Sequence, residues 1–95
     1  MNKYELALVV SAKLDDEARA AAVDKAKAYI ERFGGTITDV KEEGKKKLAY
    51  EIQKMSEAYY YFVLFDAEAD VPAQVEARVR IMEPIIRYLC VRQDA

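Results

Sequence analysis

Two stretches of this chain carry side chains whose types and spacing could do chemistry, and both point to binding rather than to reaction. The first is Lys45-Lys46-Lys47, with Lys41 and Lys54 close by. Ammonium groups at that density can neutralise phosphates, the main source of nucleic-acid affinity. Lysines along a strand edge also discourage aggregation, and Glu42, Glu43 and Glu51 offset part of the charge. The second stretch is Tyr59-Tyr60-Tyr61-Phe62-Val63-Leu64-Phe65. In a strand, successive side chains point to opposite faces. Tyr59, Tyr61, Val63 and Phe65 then share one face and Tyr60, Phe62 and Leu64 the other, so this strand is apolar on both.

Catalysis finds no support. The chain has no His, which removes the side chain that titrates nearest neutrality and the commonest metal ligand. There is no Gly-rich phosphate loop and no set of cysteines or carboxylates at metal spacing. Ser11 and Ser56 have no candidate base, and the Arg and Asn arrangement of small acyl-phosphate hydrolases is not found. No catalytic residue, metal or cofactor is expected. Cys90 is the single cysteine. It cannot form an internal disulfide, which fits a reducing compartment, and in Leu89-Cys90-Val91 it reads as a small core residue.

The 95 residues suit one domain spanning 1–95. Hydrophobic residues at 53% and charged residues at 34% provide both a core and a solvated surface, which argues against disorder. The formal charge is −2, but phosphate responds to local clusters rather than to the sum. The longest N-terminal apolar run, residues 6–10, is too short for a signal-peptide core or a membrane span, so a cytoplasmic location is expected.

The elements that must position these residues follow from periodicity. Residues 2–10 alternate, with Tyr4, Leu6, Leu8 and Val10 on one parity, which predicts a strand. Asp15 or Asp16 should cap a helix to about Phe33, with Ala22, Ala26, Tyr29, Ile30 and Phe33 at helical spacing. Gly34-Gly35 should end it. Thr36–Ile52 reads as a long strand with a bulge near Gly44. A polar turn at 53–57 should lead into a strand over 59–65, closing a hairpin. Asp70 should cap a second helix with Pro72 in its first turn. Its buried stripe should be Val71, Val75, Val79 and Met82, and Glu83-Pro84 should stop it. Ile85–Arg92 is the last strand.

The order strand, helix, strand, strand, helix, strand is the ferredoxin-like, split βαβ plan of the α+β class. It has a four-stranded antiparallel sheet with two helices on one face. Helices on one side leave the other side open. There the pattern places Tyr60, Phe62 and Leu64, with Ala7 and Val9 of the first strand and Ile85, Leu89 and Val91 of the last. A patch this apolar does not stay exposed without a reason. It could be a base-stacking platform, a protein interface or a self-association surface. The platform would resemble an RNA-recognition motif, but that motif's basic and glycine positions fall on Ala58, Tyr59 and Tyr61.

Several segments together resemble one family. Lys3-Tyr4-Glu5-Leu6, Gly34-Gly35, Gly44-Lys45-Lys46-Lys47-Leu48-Ala49-Tyr50-Glu51-Ile52, Ala58-Tyr59-Tyr60 and Ile86-Arg87-Tyr88-Leu89 with Arg92 are similar to bacterial small-subunit ribosomal protein six. The likeness covers nearly the whole chain, and the glycine-to-isoleucine stretch is its most specific part. Glu51 stands where the family usually has proline. Gln53 replaces a basic or small residue, and Glu43 an aromatic or apolar one. The resemblance implies a structural constituent of the small ribosomal subunit. It further implies binding to the central domain of the small-subunit ribosomal RNA as a heterodimer with small-subunit protein eighteen, which would cover the open face and carry much of the phosphate neutralisation.

The expected phosphate contacts are Lys46, Lys47 and Arg87, with Lys3 and Arg92 beside them, all on or next to the sheet and away from the helices. The expected protein interface is Tyr50, Tyr60, Phe62, Leu64, Leu89 and Val91. A competing reading from a different class is a ferredoxin-like small enzyme or ligand-binding regulator that dimerises through its sheet.

Overall fold

The computed structural model describes residues 2–52 and 54–93. Its elements are β1 (Asn2–Ser11), α1 (Asp16–Arg32), β2 (Thr36–Ile52), β3 (Met55–Ala67), α2 (Val71–Val79) and β4 (Ile85–Arg92). The strands form one antiparallel sheet in the order β2-β3-β1-β4. This is the ferredoxin-like plan that the sequence pattern implies.

The alternation in β1 decides which face the helices cover. Leu6, Leu8 and Val10 are fully buried, as are Val63 and Phe65 of β3. Register aligns them, with Leu6 opposite Val63 and Leu8 opposite Tyr61. From above they meet Ala22, Val23, Ala26 and Ile30 of α1 and Val71, Val75 and Val79 of α2. Tyr4 stacks on Phe65, ring centroids 5.6 Å apart.

α1 starts where its capping residue stands. The Asp15 carboxylate accepts the Ala18 N–H at 2.8 Å, which satisfies one of the free donors of the first turn. At the other end Gly34 takes φ 98°, a conformation that costs glycine little, and Gly35 donates back to the Ile30 carbonyl at 2.8 Å.

α2 differs from expectation at both ends. Asp70 precedes it but has helical dihedrals and makes no side-chain cap bond. Its carboxylate instead accepts from the Gln74 amide at 3.1 Å. The helix ends at Val79, well before Pro84, through a turn in which Met82 donates to the Val79 carbonyl at 3.0 Å. Met82 still completes the apolar stripe, because that turn folds it back onto the core.

The hairpin is longer and tighter than its polar residues suggest. Ile52 pairs with Met55, so β3 begins within the stretch 53–57 expected to be a turn. Lys54 takes φ 64°, as two-residue hairpin loops require. Gln53 lies outside the described residues.

Three irregularities in the β2–β3 register, at Ile37/Asp39, Glu42/Gly44 and Lys47/Ile52, determine what β2 presents. Gly44, at φ 80°, marks the middle one. A one-residue slip moves every later side chain to the other face. Lys41 pairs with Phe62, and beyond the slip Lys46 pairs with Ala58. The two lysines have opposite sequence parity yet come to the same side of the sheet.

β4 has a slip of its own. Val9 pairs with Arg87 but Val10 with Ile85, leaving Ile86 as the extra residue. Ile85 therefore turns into the core, where it is 7% exposed, and does not join Leu89 and Val91 on the open face as simple parity places it.

Candidate nucleic-acid and protein interface

The face away from the helices is built in rows across the four strands. One row runs Asp39, Leu64, Glu5, Val91. The next runs Lys41, Phe62, Ala7, Leu89, and the third Gly44, Tyr60, Val9, Arg87. The middle of these rows is mostly apolar, and Lys41 and Arg87 stand on the two edge strands. Leu89 is 60% exposed and Val91 38%, while Tyr60, Phe62 and Leu64 are half-buried. The neighbours of the last three on β3, Tyr61, Val63 and Phe65, are buried. The two parities of one strand thus have opposite environments, as alternation requires.

The far end of the face is partly roofed. The Arg87 guanidinium, on β4, donates to the Tyr50 hydroxyl, on β2. The same guanidinium lies over the Tyr50 ring, 5.0 Å from its centroid. The long hairpin therefore curls far enough for one edge strand to touch the other. Tyr50 stays 57% exposed and Arg87 exposed. Below this contact Ala7, Val9, Tyr60, Tyr88 and Leu89 line a shallow hollow with Arg87. A residue expected to meet protein and one expected to meet phosphate are here in contact.

The other basic side chains divide by face. Lys3 shares its parity with Glu5, Ala7 and Val9, and Lys46 shares its side with Tyr60 and Phe62. Lys47 pairs with Glu57, and Arg92 with Tyr4. Both of these therefore have the parity of the helix-covered side, contrary to the placement expected for them. Adjacent strand residues cannot share a face, so Lys46 and Lys47 cannot act on one surface. Lys46 also lies 3.7 Å from the Glu43 carboxylate and Lys45 3.8 Å from Glu57. Such exposed pairs contribute about 0–1 kcal/mol and yield readily to a phosphate. Arg92 donates to the Asn2 side-chain oxygen at 2.9 Å.

Lys41 joins the open face beside Phe62, exposed, although nothing in its local sequence marks it as more than a neighbour of the tri-lysine cluster. Arg19 is a second residue that the pattern does not single out. Buried at the start of α1, it donates to the Leu14 carbonyl at 2.9 Å and to Asp16, and lies 3.6 Å over the Tyr59 ring. It ties α1 to the root of the hairpin that carries Lys46 and Tyr50.

Cys90 packs against the core from the helix side, half-buried. Burial, with the Glu76 carboxylate near by, pushes its thiol from the ordinary 9.0 up to about 12. Both causes disfavour the thiolate, which is the reactive form. The folded thiol should therefore alkylate slowly with iodoacetamide at pH 8, and at an ordinary rate once the chain is unfolded. Because the folded state holds this proton more tightly, the associated stability is complete below pH 9 and is lost as pH rises toward 12. Denaturant unfolding should show this loss in the wild-type chain and less of it in Cys90→Ala. Among the described residues no group of His, Cys, Asp and Glu could hold a metal ion, and no helix is long and apolar enough to cross a membrane.

Comparison with known proteins gives one answer. The sequence pattern of the family described as Ribosomal protein S6 matches residues 3–92. Small ribosomal subunit protein bS6 of Clostridium botulinum (strain 657 / Type Ba4) is 39% identical over 94 residues, covering 99% of this chain and 100% of the relative. The bS6 protein of Alkaliphilus oremlandii is 41% identical, covering 99% of each. A crystal structure of 30S ribosomal protein S6 from Thermotoga maritima superposes with a TM-score of 0.92 at 29% identity, over 97% of this chain and 87% of that one. The chain therefore belongs to the ribosomal protein S6 family and is a structural constituent of the bacterial small ribosomal subunit.

Proposed function

We propose that the chain binds the central domain of the small-subunit ribosomal RNA jointly with small-subunit protein eighteen. The protein partner covers the open face of the sheet, and the basic margin contacts phosphate. The observation that carries this reading is the row Lys41, Phe62, Ala7, Leu89. Its centre is too apolar to be left to water, and its edge is cationic. Tyr60, Phe62, Leu64, Leu89 and Val91 form the protein contact, with Tyr50 as its roof. Arg87, Lys46, Lys41 and Lys3 stand where RNA beside the partner would meet them. Lys47 and Arg92, on the opposite parity, contribute less.

The test is the salt dependence of binding to a central-domain RNA fragment in the presence of protein eighteen. Each lost phosphate contact lowers the slope of log K against log salt by about one unit and weakens all sequences alike. The triple replacement of Lys41, Lys46 and Arg87 by alanine should lower the slope by about two to three units. The double replacement of Lys47 and Arg92 should change it by less than about one. Equal slopes for the wild-type chain and the triple variant would contradict the phosphate assignment.

A further inference from the structure

β2 and β4 are the two edges of the sheet, and they are protected very differently. β2 carries Lys41, Lys45, Lys46 and Lys47 and three register shifts, devices that keep another strand from adding. β4 past its slip at Ile86 runs Tyr88, Leu89, Cys90, Val91 in continuous register, with no lysine, proline or further bulge.

Two hydrogen bonds show which backbone groups of β4 face outward. Ser11 donates to the Pro84 carbonyl at 2.9 Å, and Gln93 donates to the Lys3 carbonyl at 2.7 Å. In an antiparallel pair, alternate residues exchange both bonds with the neighbour. The odd-numbered residues of β1 thus face β4, and their partners Arg87, Leu89 and Val91 face β1. The N–H and C=O of Tyr88 and Cys90 point away from β1, to a side on which no strand of the described residues lies. Repeated every second residue, about 7 Å apart, these groups match the spacing of an extended polypeptide.

We propose that an extended segment of the same protein that covers the open face adds to β4 as a fifth strand, bonded to the backbone of Tyr88 and Cys90. This rests on the reading that a protein covers the open face. It is continuous with that face, because Leu89 and Val91 on the same strand are exposed apolar side chains of that face. A second copy of this chain fits the edge less well. Residues 85–93 contain Arg87 and Arg92 and no carboxylate. Antiparallel self-pairing centred on Cys90 gathers both arginines of both copies along one seam. RNA has no amide ladder to offer.

The experiment is residue-resolved amide hydrogen exchange on the chain alone and in complex with purified small-subunit protein eighteen. The Tyr88 and Cys90 amides should exchange freely in the free chain and slow about a hundredfold in the complex, while Leu89 and Val91, already bonded to β1, change little. Cys90→Pro removes one outward N–H and leaves the bonds to β1 in place. It should weaken the complex about tenfold, the worth of one hydrogen bond of about 1.4 kcal/mol, while Cys90→Ala does not.

If a complex forms, weakens with Phe62→Ala, and leaves the Tyr88 and Cys90 amides fast, strand addition is wrong and the reading of the face stands. If no complex forms, or Phe62→Ala leaves it unchanged, the reading of the face falls and the fifth strand with it. Concentration-dependent protection of these amides in the free chain would identify a second copy as the occupant and overturn the proposal. If Cys90→Pro fails to fold, the exchange measurement on the wild-type chain decides alone.

Discussion

Phe65→Ala lowers the unfolding free energy of the isolated chain by about 3–5 kcal/mol, the cost of a cavity where a large aromatic side chain is fully enclosed. Phe65 is 1% exposed, stacks on Tyr4, and lies on the parity of β3 that meets the helices. A loss of that size is a large share of the stability of a small domain. Chemical denaturation at neutral pH measures it. A loss under about 1 kcal/mol, the range of surface positions, would mean that the helices do not seal this face.

Phe62→Ala has the complementary signature. Three residues away on the same strand, Phe62 points to the open side, half-buried among Ala7, Lys41 and the neighbouring rows. Its replacement costs the free chain far less stability than Phe65→Ala. Under the proposed pairing it should weaken association with protein eighteen by about 2–4 kcal/mol, or thirtyfold to a thousandfold, as expected of an aromatic anchor near the centre of an interface. Titration calorimetry on the pair, alongside unfolding of the free variant, separates the two effects. Large destabilisation of the free chain with unchanged partner affinity would show that the roles of the two faces are reversed.

The contrast between Phe62 and Phe65 could be read from the sequence because β3 pairs with β1 from Ala58 to Ala67 without a slip. Parity is reliable as long as the register is unbroken. It fails where a residue is inserted. Ile85 belongs to the core because Ile86 is extra, and that slip has no glycine to announce it. Lys41 and Lys46 reach one face because the register shifts at Gly44. The glycine signals a bulge there, but not which side chains emerge on which side. Grouping Lys46 with Lys47 by adjacency overlooks the period of the strand. Asp70 looks like a cap by residue type, yet its helical backbone turns the carboxylate toward Gln74. The Arg87–Tyr50 contact joins residues 37 positions apart and depends on how far the hairpin curls, which no local pattern encodes.

If the sheet meets a protein, RNA affinity belongs to the pair. Titration of a central-domain ribosomal RNA fragment with the chain alone, with protein eighteen alone, and with the two together decides this. Tight binding is expected only for the pair, with loss of that cooperative gain in Phe62→Ala while the variant remains folded. If the chain binds the RNA equally well alone, and Phe62→Ala abolishes that binding, the face stacks on bases and is not a protein interface.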